Sequence, residues 1–387
     1  MPAARSSVKS SSLKVGVLLS GREQFSPYYG GALARWTYEV YSRLRDCIDV
    51  TVFGYPTAAN QLYNLRHHTS GVSRFCNFIS HIPGARRWEE PLWLRAFTQR
   101  FRQLDIIHIH NRPQWVAELR NQGYRGKIWL HLQNNHLGHW TAPMLEMLAP
   151  QLDGVAVCST FLRDTFVPRC PSIALKTRVI FNGVDTHLFH PQEAAREPKT
   201  LFFVGRFDPE KGVLQLVRAF EKLLPRHPDA KLIIGGTTGF GVHEQTAYVR
   251  QVRELAQFLQ QTKNANITFP GYIHHNHDLP GYFQRATIFT CPSLFQEPFG
   301  LVNAEAMACA TPVVGSNRGG IPEALGPAGI VVNPESTEEF AAAISQLLDD
   351  PQRRTQLAAA SLSRSRELFD WAVIAQTWLE ALQATRN

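Results

Sequence analysis

The stretch Leu201–Leu224, LFFVGRFDPEKGVLQLVRAFEKLL, decides the fold. Its opening run, Leu201–Val204, is uniformly apolar, as in a strand buried on both faces of a sheet. Val213, Leu216, Val217, Phe220, Leu223 and Leu224 then recur at helical spacing, which predicts an amphipathic helix over Gly212–Leu224. Between them lies Gly205-Arg206-Phe207-Asp208-Pro209-Glu210-Lys211-Gly212, a turn rich in charge. A strand, a charged turn and a helix in that order form the repeating half of a parallel α/β sheet.

The alternation continues in both directions. Toward the carboxyl end, strands are expected at Lys231–Ile234, Ile267–Phe269, Thr287–Cys291, Pro312–Gly315 and Gly329–Val332. Thr337–Leu348 and Pro351–Leu382 read as helical. Toward the amino end, strands are expected at Lys14–Leu19, Val50–Gly54, Asp105–His110, Lys127–Leu132, Gly154–Cys158 and Arg178–Phe181, with an amphipathic segment at Ala32–Arg45. Asn182–Thr200 carries Asn-Gly, Pro191 and Pro198 with little apolar periodicity, and reads as a linker. The fold class is therefore α/β, with two tandem doubly wound Rossmann-like domains, residues 1–190 and 191–365, and a closing segment at 366–387. Open parallel sheets bind ligands at the carboxyl ends of their strands, so two such domains facing each other would surround one cleft.

Composition agrees. The chain has 387 residues, 44% hydrophobic and 19% charged, enough for buried cores and too apolar for a disordered chain. No apolar run approaches the roughly 18 residues of a membrane-spanning helix. Met1–Ser12 is a Ser-rich leader without the apolar region of a secretory signal. The six cysteines, Cys47, Cys76, Cys158, Cys170, Cys291 and Cys309, are scattered without metal-ligand spacing, which fits a reducing, cytoplasmic setting. The net charge of +8, from 40 basic and 32 acidic residues, favours anionic partners. No interleaved basic–aromatic strand points to specific nucleic-acid binding. Arg66–Arg102 mixes Arg74, Arg86, Arg87, Arg95 and Arg100 with Phe75, Phe78, Trp88, Trp93 and Phe97, which suits peripheral contact with a membrane or an anionic acceptor as well as an ordinary amphipathic segment.

Five strand-end constellations carry chemistry. Tyr28-Tyr29-Gly30-Gly31-Ala32 opens a helix whose free amides suit an anion. Arg206 and Lys211 can clamp a diphosphate, one as a fork and one as a point charge. Glu297 and Glu305, with seven residues between them, flank the turn Pro298-Phe299-Gly300, and amides at Gly300 and Leu301 suit a phosphate. If a helix starts near Leu301, both carboxylates can face one ligand and accept from sugar hydroxyls. His108 and His110 alternate with isoleucines on one strand face, and His110 lies at the strand end. No third ligand at useful spacing supports a metal there. Arg318-Gly319-Gly320-Ile321-Pro322-Glu323 is a further glycine-rich turn.

Gly30-Gly31, Arg206…Lys211-Gly212, Glu297-x7-Glu305 and Gly319-Gly320, in that order, resemble the motifs of a GT-B glycosyltransferase of family 4. Asn182-Gly183-Val184-Asp185 is similar to its interdomain boundary, and Phe369-Asp370-Trp371 to the tail that crosses back to the N-terminal domain. DIIHIHNRPQ at Asp105–Gln114 further resembles bacterial members acting on surface or spore-coat glycans. The resemblance implies a retaining, hexosyltransferase-type enzyme with a nucleotide-sugar donor, UDP being the usual carrier, and an unidentified hydroxyl acceptor. It implies that Arg206 and Lys211 bind the diphosphate, Glu297 the donor sugar and Glu305 the ribose. It further implies that Gly30 and Gly31 close over the phosphates, that Phe299, Gly300 and Leu301 form the phosphate-binding turn, that Tyr272 or Ile273 flanks the base, and that His110 lies near the reacting sugar. No Asp-x-Asp pair occurs, which argues for a metal-independent reaction; no cofactor is expected, the nucleotide sugar being a substrate. The competing reading is a sugar-nucleotide- or glycan-binding protein without turnover.

Overall fold

The computed structural model describes residues 12–19, 23–26, 31–54, 64–69, 86–192, 195–238 and 246–385, the side chains of 86–89 excepted. Residues 1–11, Tyr28, Tyr29, Gly30 and Cys76 lie outside these residues. The chain divides into two units. The first joins Met1–Val157, Arg163–Ile180 and Ala375–Asn387, and the second joins Cys158–Leu162 and Phe181–Ile374.

The first unit holds a seven-stranded sheet: β1 (Leu13–Leu18), β2 (Ile48–Phe53), β3 (His67–His68), β4 (Ile106–His110), β5 (Lys127–Leu132), β6 (Gly154–Val157) and β7 (Thr177–Val179). All neighbours are parallel, in the order β3-β2-β1-β4-β5-β6-β7. Strand order reverses between β1 and β4, the position at which doubly wound sheets bind ligands. Helix Ala32–Arg43 buries Trp36, Val40 and Tyr41 beside the sheet's own Trp129, and Trp378 of helix Trp371–Ala384 is buried in the same unit.

The aromatic residues of the described part of Arg66–Arg102 face inward. Trp93, Leu94, Phe97 and Phe101 are buried, Trp93 stacks on Trp115 at 5.2 Å, and Arg95 pairs with Glu118 at 3.5 Å. These side chains serve the core of the unit, while Leu92 on the same helix as Trp93 is exposed. Arg74, Phe75 and Phe78, and the side chains of Arg86, Arg87 and Trp88, fall outside the description. Among the described residues no helix is long and apolar enough to cross a membrane.

The second unit holds six parallel strands: β8 (Thr200–Val204), β9 (Lys231–Gly235), β10 (Asn266–Gly271), β11 (Ile288–Cys291), β12 (Val313–Ser316) and β13 (Ile330–Val332). Their order is β10-β9-β8-β11-β12-β13, again reversing next to the first strand, here between β8 and β11. Helix Val213–Leu223 buries Val213, Leu216, Val217 and Phe220 in a core shared with Leu201, Ile234, Val252, Ile344 and Leu347. Helix Ala247–Lys263 covers the same core through Val249, Val252, Ala256 and Leu259.

The carboxyl tail departs from one continuous helix. Helix Pro351–Arg364 passes through a wide turn at Ser365–Phe369, and a new helix starts at Trp371. At the break, Val184 N donates to Phe369 O at 2.7 Å, Val184 and Asp370 form a parallel bridge, and the Trp371 ring lies over Gly183. The motifs Asn182–Asp185 and Phe369–Trp371, nearly two hundred residues apart in sequence, are thus packed on each other within the second unit.

Candidate active site

The candidate site is built on the carboxyl edge of the second sheet. The turn after β8 tightens at Pro209–Lys211 and ends on Gly212, which starts helix Val213–Leu223 with φ +69°. A Cβ on Gly212 would stand 2.0 Å from Pro292 O, so the β8 and β11 loops touch backbone to backbone. Leu294 N and Phe295 N both donate to Glu210 O, at 2.8 and 3.1 Å, which joins the two loops directly.

Lys211 Nζ forms an ion pair with Glu297 Oε1 across that seam. Ser293 Oγ donates to the same carboxylate oxygen at 3.1 Å. The β12 loop supports Glu297 from the other side: Gly320 N donates to Glu297 O at 2.7 Å, and Gly319 N to Gln296 Oε1, also at 2.7 Å. Gly319 has φ +59°, and a Cβ there would lie 2.1 Å from Glu297 O. Three loops from adjacent strands therefore fix one carboxylate and one ammonium, both mostly buried.

Arg206 stands differently. Its side chain is 57% exposed and pairs with Asp208 of its own turn at 3.2 Å. A guanidinium this exposed, held by a local ion pair worth little in water, can be recruited by an arriving anion.

Glu305 lies one turn into helix Leu301–Ala308, which Gly300 starts with φ +81°. It is only 2% exposed. Its Oε1 is 2.6 Å from His275 Nε2, while Oε2 has no hydrogen-bond partner among the described residues. His275 comes from the loop after β10 that also carries Tyr272 and Ile273. Tyr272 is exposed, whereas Ile273 is buried with its Cδ1 against Gly235. Phe299 is buried against Phe369 at 5.4 Å and Phe181 at 5.9 Å, so its side chain anchors the turn and only its backbone is left for a ligand.

In the first unit, Gly31 starts helix Ala32–Arg43, and Gly30 lies outside the described residues. The seat for an anion at this helix start already holds one: Glu23 Oε1 accepts from Ala34 N at 3.0 Å. Burial raises the Glu23 pKa, and hydrogen bonds from the Ala34, Gly31 and Leu33 amides oppose the rise.

His110 is fully buried at the end of β4, with Nε2 3.1 Å from Thr37 Oγ1. Beside it are His108 and His131, also fully buried. Burial, with mutual repulsion among the rings, holds His108 and His110 well below the ordinary histidine range, and burial takes His131 down to about 3. All three are neutral at physiological pH.

The structure thus brings Lys211, Glu297 and the Gly319-Gly320 turn together, and sets Arg206 apart on Asp208. Sequence reasoning missed His275, Ser293, Gln296, Glu23 and His131. His275 had a signal, the histidine-rich GYIHHNH loop following a strand; the others are placed by contacts between distant segments.

Comparisons with known proteins agree with this architecture. Residues 29–188 match the family described as Glycosyltransferase Family 4, and residues 185–364 match Glycosyl transferases group 1. Spore coat protein SA of Bacillus subtilis is 28% identical over 78% of this chain and 83% of its own. Alpha-maltose-1-phosphate synthase of Mycobacterium tuberculosis is 30% identical over 71% of this chain and 72% of its own. Among solved structures, Anabaena Alr3699/HepE in complex with UDP and glucose superposes with a TM-score of 0.71 at 20% identity, over 96% of this chain and 99% of that one. With both halves matched and the two parallel sheets in place, the chain belongs to the group 1 glycosyl transferases, on the two-unit Rossmann-like GT-B fold.

Proposed function

We propose that this chain is a retaining glycosyltransferase that moves a sugar from a nucleotide-diphosphate donor, with UDP as carrier, to a hydroxyl acceptor, and that catalysis needs no metal. The observation that carries the reading is the Lys211–Glu297 pair, fixed by three loops at the point where the second sheet reverses its strand order. In the resting chain each charge neutralises the other. A donor diphosphate competes for the ammonium, and the freed carboxylate accepts from the donor sugar's hydroxyls. Arg206 turns from Asp208 to a second phosphate oxygen. As the anomeric C–O bond breaks, negative charge grows on the leaving diphosphate, and two positioned cations stabilise it more than they stabilise the ground state. The acceptor hydroxyl attacks from the face the diphosphate leaves and passes its proton to the departing phosphate oxygen, so the anomeric configuration is kept. Glu305, buried with one oxygen unpartnered, suits the ribose hydroxyls, with the base beside the Tyr272–Ile273 backbone.

The spore-coat name of one relative favours the second reading, binding without turnover. A panel of UDP- and GDP-sugars assayed for hydrolysis and for transfer to simple sugar acceptors separates the two. Release of nucleotide diphosphate by the wild type and its loss in Lys211→Ala support the enzyme. Binding of UDP with no turnover of any donor supports the alternative.

A further inference from the structure

The reversal point of the first sheet carries a cluster that the donor chemistry leaves unused. His108 and His110, two apart on β4, share one face of the sheet. The β4–β5 register sets His131 directly opposite His110. Spacing along the chain offered no third ligand; the third comes from across the sheet. His108 Nε2 and His131 Nδ1 lie 3.3 Å apart, and one nitrogen from each of the three rings falls within 4.8 Å of the others. Two nitrogens bound tetrahedrally to one ion at about 2.0–2.1 Å would themselves be about 3.3–3.4 Å apart.

The surroundings suit ligation. A metal-bound imidazole usually gives its other N–H to an oxygen, which fixes the tautomer and the ring orientation. Here the Tyr41 hydroxyl is 3.0 Å from His108 Nδ1, and Thr37 Oγ1 is 3.1 Å from His110 Nε2. Trp378 Nε1 donates to the Tyr41 hydroxyl at 3.0 Å and fixes it in turn. His110 Nδ1, fully buried, has no hydrogen-bond partner among the described residues, a costly state for a polar atom unless something ligates it. Trp36 stands edge-on to all three rings, with centroids 5.4, 5.5 and 4.5 Å away, and excludes water.

We propose that His108, His110 and His131 bind one late first-row transition-metal ion inside the first unit. A set of three imidazoles without carboxylate suits zinc or copper and not magnesium or calcium. The ion would tie the carboxyl ends of β4 and β5 together, a structural task within the first unit.

The test uses the full chain and reads metal content, so its failure leaves the proposed reaction untouched. Protein from zinc-supplemented cells is analysed for metals, then stripped with chelator, desalted and titrated with Zn²⁺, Cu²⁺ and, for its visible absorption, Co²⁺. The expected result is about one ion per chain for the wild type and loss of binding in His108→Gln and His131→Gln. Tyr41→Phe, which keeps all three ligands, is expected to weaken the affinity about 10–100-fold. It carries the test should either histidine variant fail to fold by circular dichroism. A wild type that holds no metal and takes up none of the three ions overturns the proposal, as does undiminished binding by the folded histidine variants.

Discussion

The two sheets reverse strand order in the same way, and each places chemistry at the reversal, but of opposite kinds. At the end of β4 three neutral imidazoles stand in an aromatic box with no carboxylate among them. At the ends of β8 and β11 an ammonium and a carboxylate are joined across a seam of backbone hydrogen bonds, with a solvated guanidinium in the same loop. Burial decides the difference. The first point is covered by Trp36 and Trp378 from helices packed over the sheet, so charge is expelled and the rings stay neutral. The second is closed only by short loops, so charge survives where an anionic ligand can still compete for it.

That contrast can be broken by changing either side. The largest effect belongs to the charged point: on the proposed mechanism Lys211→Ala is expected to lower kcat by about 10²–10³-fold, because it removes a cation matched to the charge that grows on the leaving diphosphate in the transition state. Steady-state kinetics with a saturating donor reads it, and an unchanged kcat removes Lys211 from the reaction.

Next comes acid sensitivity at the neutral point. With its folded pKa about 3, below the ordinary value of about 6.5, His131 stays neutral in the fold while the unfolded chain takes up a proton. Its contribution is complete above about pH 6.5 and falls by about 1.4 kcal/mol per pH unit below it, down to the folded value. His108 and His110 shift in the same direction and add to the slope. Chelator-treated protein is therefore expected to lose melting temperature steeply between pH 6.5 and 5, and His131→Phe to flatten the slope. Equal slopes for the two would count against the buried neutral ring.

Gly212→Ala should come third, at about 2 kcal/mol of stability, since a Cβ at positive φ meets the Pro292 carbonyl and forces the β8 and β11 loops apart. Denaturant titration measures it, and a loss well below 1 kcal/mol would show that the seam yields easily. The smallest effect is Glu23→Gln. Removing the charge near the start of helix Ala32–Arg43 is expected to cost about 0.3–1 kcal/mol of stability, read by denaturant titration; unchanged stability would show that the carboxyl carries no charge there.

Most of the fold was legible because parallel strands buried on both faces leave unbroken apolar runs, such as Leu201–Val204 and Gly154–Cys158. Several elements were not, among them the helices Gln114–Asn121, Ala142–Leu148 and Leu279–Arg285. β3 is only His67–His68, paired through its neighbour and too short to carry a pattern. Helix Ala247–Lys263 was passed over although Val249, Val252, Ala256 and Leu259 recur at helical spacing. At the candidate site, spacing identified Lys211, Glu297 and Glu305 but not their partners. That Lys211 meets Glu297 while Arg206 meets Asp208, and that His275 meets Glu305, depends on which loops adjoin at the sheet edge. His131 was invisible for the same reason: its relation to His110 exists only in the β4–β5 register.

Trp378 links this architecture to the order of synthesis. It is the last large side chain to enter the first unit, filling a slot beside Trp36, Tyr41 and His108, yet it is translated only after the whole second unit. At ordinary elongation speeds the slot waits on the order of ten seconds or more while the nascent chain grows. During that interval an open aromatic socket at the centre of the amino-terminal half is the surface a chaperone would be expected to guard.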